Sequence, residues 1–268
     1  MTRILGVDFS GASDAGRKIW VAEGRLDGNG ALELLTCVAA IDLPGSGKTP
    51  AEAVPALARH IAGLGVAHVG CDFPFSLPRD LVGAKNWRSF AMRYAAEFAD
   101  ADTFRSLMRT RHNAAEHKRV TDRIAKTPFN SYNLRLYRQT WWGISGVLRP
   151  LIAKRAASVR PQQKLLPGKP TLIEVCAACT LKSIKLYPPY KGKETAHRKA
   201  RQRILDGLIQ RGALAAPARP MHRMLLDNEG GDALDAVIGA VATARADLAK
   251  APDAFQRLEG RVYYEIGV

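Results

Sequence analysis

Apolar and polar positions fall into short runs near the start of the chain and longer periodic stretches later on. Ile4–Val7 is a continuous apolar run that stops on Asp8 and a loose Ser10-Gly11-Ala12 turn, and it predicts a buried central strand. Lys18–Glu23 (KIWVAE) alternates and predicts a second strand. The Gly- and Asn-rich stretch Arg25–Gly30 reads as a hairpin turn into a third strand over Leu32–Ala39. Thr49 followed by Pro50 is a capping residue with a first-turn proline, so a helix is expected from there to about Leu64. Ala67–Asp72 (AHVGCD) is a fourth strand, again ending in an acid, and Pro74 and Pro78 prevent its continuation. Residues 80 to 165 are helical in pattern. Thr171–Cys176 (TLIEVC) is a fifth strand, Lys191–Gln210 and Asp232–Ala249 are long helices, and Arg261–Ile266 is a terminal strand.

Three antiparallel strands, a helix, a fourth strand, an insertion, a fifth strand and then helices is the order of a ribonuclease-H-like fold. The expected class is therefore α/β with a mixed sheet, as one domain over residues 1–268 that carries a helical basic insertion at 80–165. In that arrangement the first and fourth strands lie side by side at the sheet centre. Ligands of open α/β sheets collect at the carboxyl ends of such strands.

Charge sharpens the picture. The chain of 268 residues carries a formal net charge of +15. Residues 79 to 170 hold 19 Lys and Arg against 6 Asp and Glu, which points to a polyanionic partner such as nucleic acid. The segment 128–142, PFNSYNLRLYRQTWW, interleaves Arg with Tyr and Trp, as either a nucleic-acid-contacting helix or an ordinary amphipathic one does. No apolar run approaches the ~20 residues that span a bilayer, and no secretion-signal pattern opens the chain. The expectation is a cytoplasmic protein without a membrane partner.

The carboxylates are the candidate chemistry. An ionised acid at the end of a buried strand is costly unless it is paired or holds a metal. Asp8 and Asp72 end the two strands expected to be neighbours. Asp232 and Asp235 open the last helix three residues apart, about 300° of rotation, and so share one face. Acids in a first turn also suit the helix dipole by itself. Four carboxylates around one point call for a cation, and Mg²⁺ or Mn²⁺ prefers such oxygen ligands. Asp8, on the central strand, is the candidate bridging ligand, with Asp72, Asp232 and Asp235 completing the shell. Glu174 is either a further member or the partner of a Lys or Arg beside the sheet. Lys191 and Lys193 are candidates for neutralising substrate phosphate.

Separated motifs over most of the chain resemble one known family, domain of unknown function 429, identified as predicted ribonuclease-H-like nucleases. They are GVDFSGA at 6–12, CDFPFSLP at 71–78, IEVCAACTL at 173–181, YKGKE at 190–194 and GDALDAVIGA at 231–240. Where the family's third motif reads Glu-Val-Tyr/His-Pro, Cys176 and Ala177 stand in the last two positions. The resemblance implies a site of Asp8, Asp72, Glu174 and Asp232 or Asp235. The spacing of acids is also similar to that of Holliday-junction resolvases.

Other motifs point elsewhere. Gly45-Ser-Gly-Lys-Thr49 lacks the earlier glycine of a phosphate loop, because Asp42 holds that position. His112 and His117 flank Glu116 at five residues rather than the four of a zinc-peptidase helix. Cys176-Ala-Ala-Cys179 has metal-knuckle spacing but no second ligand pair, and Cys37 and Cys71 read as buried thiols. Two rivals stand beside the nuclease. One is a phosphotransferase or nucleotide-binding protein of the actin-like group, which GVDFSGA also resembles, although only one set of strands is visible. The other is a catalytically silent nucleic-acid-binding module.

Overall fold

The computed structural model describes residues 2–111 and 117–267. The centre is a seven-stranded mixed sheet made of β1 (Arg3–Asp8), β2 (Trp20–Leu26), β3 (Leu32–Ala39), β4 (Ala67–Asp72), β5 (Ser158–Val159), β6 (Thr171–Val175) and β7 (Val262–Tyr263). The order is β3-β2-β1-β4-β6-β5, and β7 also pairs with β6. The first three strands form an antiparallel meander, and β1, β4, β6, β5 and β7 run parallel where they pair. Two short strands share the outer edge of β6. β5 takes Thr171 and Leu172, and β7 takes Glu174 and Val175.

Both faces of the sheet are covered. Leu5, Val7, Val69 and Leu172 face one core with the Pro50–Ala62 helix and the helical segment after β4. Ile4, Ile173 and Val175 face the other, with the Thr195–Gln210 and Asp232–Ala244 helices. Successive strand residues point to opposite faces, so a nearly continuous apolar run is what a doubly covered strand needs. Trp87, Phe90, Tyr94 and Phe104 of the basic segment belong to the same core as β1 and β4. Within residues 80–165, β5 joins the sheet itself.

Several element boundaries differ from expectation, each for a local reason. The Pro50–Ala62 helix starts as expected, with the Glu52 carboxylate accepting from the Thr49 amide at 2.9 Å. Glu52 closes on the Gly47 loop, so the loop wraps a carboxylate of its own chain rather than presenting amides to phosphate. The helix expected from Lys191 begins at Thr195, because Gly192 adopts φ 143° and its amide donates to the Glu229 carbonyl at 2.7 Å. The last long helix ends at Ala244, and the Asp247 side chain then accepts from the Ala249 and Lys250 amides in a turn. In 128–142, Asn130 and Asn133 accept from the amides two residues on, so the helix forms only over Tyr137–Trp142. Tyr132 and Tyr137 are buried, and Trp141 and Trp142 pack on the core. Packing, rather than exposed stacking surface, accounts for those rings. The Ala177–Ser183 and Arg219–Asp227 helices were not among the expected elements, although Pro220 stands in the first turn of the second.

Candidate active site

Backbone register brings the first two acids together. β1 and β4 are parallel neighbours, and Asp8 pairs directly with Asp72. The residues that follow, Phe9 and Phe73, are buried with ring centroids 4.8 Å apart. They anchor the two strand ends in the core. The Gln139 side-chain amide donates to the Asp72 backbone carbonyl.

Two glycines bring the last helix to the same place. Gly6 of β1 pairs with Gly70 of β4. A Cβ on Gly6 would meet the Ala236 carbonyl and the Ala240 amide at 2.1 Å, and one on Gly70 would meet Thr243 Oγ1 at 2.0 Å. Only bare backbone lets the helix lie this close. Gly231, at φ 75°, turns the chain into the helix. Asp232 and Asp235 in its first turn then face the ends of β1 and β4.

One cleft of about 300 Å³ is lined by Asp8, Asp72, Glu174, Asp232 and Asp235, together with Lys18 and Lys191. All five candidate acids are thus brought to one cavity. Tyr190 Oη donates to Asp235 Oδ1 at 2.5 Å, and Lys191 Nζ lies 2.6 Å from Asp235 Oδ2. Lys18 Nζ lies 3.6 Å from Asp232. Lys193 is outside this group: it is exposed and 3.9 Å from Glu229.

The crowding shows in the acidities. Burial first, then the Asp235 carboxylate, holds Asp8 well above the usual carboxylate range. The same two causes push Asp72 up to about 7, against the opposing pull of Lys191 and of the Ala177 backbone amide. Burial also raises Asp235, with Lys191 and the Tyr190 hydroxyl opposing it. In return, the surrounding carboxylates hold Lys191 more firmly protonated than an ordinary lysine, outweighing its own burial.

Glu174 has a partner of its own. It is only 4% exposed and accepts from Arg119 Nη2 at 2.5 Å, Nη1 at 2.8 Å and the Phe75 amide at 3.0 Å. Arg119 also binds Asp122 at 2.7 Å and is itself buried. Burial raises the Glu174 carboxyl, and Arg119 opposes that rise. Of the two readings for Glu174, the pairing with a basic residue beside the sheet describes its contacts. Arg119, which orders this wall of the cleft, was not singled out by the sequence. It lies 55 residues from Glu174 and has no motif around it.

The donor chemistry of the cleft suits a hard divalent cation, since Asp8, Asp72, Asp232 and Asp235 offer only oxygen. Among the described residues, however, no three His, Cys, Asp or Glu side chains are grouped as a metal ion would require. Lys191 brings the positive charge instead. His112 and Glu116 lie outside the described residues, and His117 Nδ1 lies 3.2 Å from Asp80. Cys37 and Cys71 are buried free thiols, whereas Cys176 and Cys179 form a disulfide. No helix among the described residues is long and apolar enough to cross a membrane. Compared with protein-family models, curated proteins and solved structures, the chain matches none.

Proposed function

We propose that this chain is a ribonuclease-H-like, cytoplasmic phosphodiesterase that uses Mg²⁺ or Mn²⁺ to hydrolyse nucleic acid. One observation carries the reading: Asp8 and Asp72 end adjacent parallel strands in register, under a helix whose first turn supplies Asp232 and Asp235 to the same cleft. The motifs that resemble those of domain of unknown function 429 agree with it, as does the basic segment that would face a polyanion. A bound divalent cation would supply Lewis-acid charge to activate water and stabilise the leaving oxygen.

The chain's own residues have distinct parts in this reading. Asp8, Asp72, Asp232 and Asp235 offer the oxygen ligands. Tyr190 and Lys191 orient Asp235 through both its oxygens. Arg119 pairs with Glu174 and fixes it, so Glu174 shapes the wall and stands behind the ligands. Lys191, on the rim, is the candidate to meet substrate phosphate. Phe129 and the half-exposed Tyr187 line the same cleft, with Arg135 and Lys182 over their rings, and would bring aromatic surface to a base.

The catalytically silent binding module is favoured by one feature, the Lys191 ammonium seated on Asp235. A phosphotransferase of the actin-like group is the weaker rival, because the described residues form one sheet where that group needs a duplicated core. The test is cleavage of single-stranded, duplex and branched DNA and RNA with Mg²⁺ or Mn²⁺, with Asp8→Asn run beside the native chain. Metal-dependent cleavage lost in Asp8→Asn supports the nuclease. Equal activity in both proteins sinks this mechanism, and tight binding without turnover supports the silent module.

A further inference from the structure

The Cys176–Cys179 pair lies in the wall of the acid cleft. Cys176 directly follows β6 and caps the Ala177–Ser183 helix, and its sulfur accepts from the Cys179 amide at 3.2 Å. The two residues are joined by a disulfide, with Cα atoms 5.2 Å apart. They are not equivalent. Cys176 is partly exposed and lines the cleft, whereas Cys179 is 1% exposed. The turn they close borders the acids, because Cys176, Ala177 and Asp72 line the same cleft. The Cys176 carbonyl accepts from the Thr180 amide at 2.9 Å. A disulfide across two intervening residues constrains little of the unfolded chain, so its effect is local to this turn.

We propose that Cys176–Cys179 is a reversible redox pair that sets the order of the turn beside Asp72 in the cleft wall. The co-reactant is a dithiol, either a small molecule or a protein dithiol of the disulfide-reductase class. Its thiolate attacks the accessible Cys176 sulfur, the Cys176–Cys179 bond breaks, and Cys179 leaves as a thiolate that takes up a proton. The second thiol of the reductant then attacks the mixed disulfide. This releases Cys176 as a thiol and the reductant as its own disulfide, so two electrons and two protons pass to the protein. With the bond intact, the turn is closed at both cysteines. With it broken, the turn keeps only its backbone bonds and loosens at its exposed end. That this turn matters to chemistry in the cleft rests on the reading above, but the redox pair itself does not.

Two measurements on the full chain test the proposal. The first is mass spectrometry after alkylation in denaturant, with and without prior dithiothreitol. Two labels before reduction and four after it are expected, because Cys37 and Cys71 are free in both forms. Four labels in both samples, even after treatment with oxidised glutathione, would overturn the pair. The second is amide exchange over residues 176–180 in the oxidised protein, the reduced protein and Cys176→Ser/Cys179→Ser. Exchange at least tenfold faster in the reduced protein and the double variant, with the far-ultraviolet spectrum unchanged, is expected. Equal exchange in all three would overturn the control of this turn by the disulfide. Mn²⁺ titration of the same samples separates the two ideas. A redox effect on exchange without any Mn²⁺ binding would leave the switch standing and remove the metal-dependent reading.

Discussion

Arg119 shows what one side chain can hold in place. It is buried, it binds Glu174 and Asp122 together, and it donates to the Glu259 carbonyl at 3.1 Å. Removing one partner of a buried pair leaves an uncompensated charge and costs about 3–5 kcal/mol. Arg119→Met is therefore expected to lower the urea midpoint sharply, and an unchanged midpoint would show that the network contributes nothing. Lys191 and Lys193 make a second comparison at this scale. Lys191 opposes the repulsion among Asp8, Asp72 and Asp235, whereas Lys193 is 85% exposed and makes only a long surface contact. With metal chelated at pH 8, Lys191→Met should lower Tm by several degrees, on the order of 1–2 kcal/mol, while Lys193→Met should leave it within about 1 °C. Similar shifts for the two variants would contradict this assignment of charge.

The position of Asp232 and Asp235 is decided by an element, the Asp232–Ala244 helix, rather than by the acids themselves. Its backbone rests on Gly6 and close to Gly70, where no side chain fits. Gly6→Ala would drive a methyl into backbone on the facing helix, which cannot rotate aside, and should cost about 3 kcal/mol or more. Gly28, in the hairpin turn, has nothing within 4 Å of a built Cβ, so Gly28→Ala should change stability by less than about 0.5 kcal/mol. Chemical denaturation of the two variants side by side checks this. Equal small losses would mean that the helix does not sit against β1 as described.

At the scale of the whole molecule, the acid cleft should govern how stability depends on pH. Asp72 is held at about 7 when folded, against about 3.9 when unfolded, so the folded chain keeps a proton that the unfolded chain gives up. The associated stability is fully present below about pH 4 and is lost as pH rises through about 7. Asp8 and Asp235 are shifted in the same direction. In chelator, Tm is expected to fall from pH 5 to pH 8, and Asp72→Asn should flatten that fall. A Tm that rises over the same interval in the native chain would contradict the raised acidities. The basic segment and the acid cleft also belong to one body, since Phe90 and Tyr94 share a core with Leu5 and Val69.

The sequence by itself determined the strand sequence, the meander and the presence of Asp8 and Asp72 at strand ends. Those features depend on local period, on turn residues and on prolines, all of which act within a few positions of the chain. It also placed Asp232 and Asp235 on one helix face, because three residues fix a rotation. The contacts of Glu174, Cys176 and Lys191 were decided only by tertiary structure. Glu174 meets an arginine 55 residues away, and Lys191 reaches Asp235 from a loop that Gly192 keeps out of the following helix. The same holds for the glycine contact that seats the last helix and for the edge strand β5, whereas the terminal strand expected over Arg261–Ile266 forms over Val262–Tyr263. A two-residue strand has too few positions to show a period, and a close backbone approach leaves no mark but a glycine. Such features exist only once the chain has brought distant segments together.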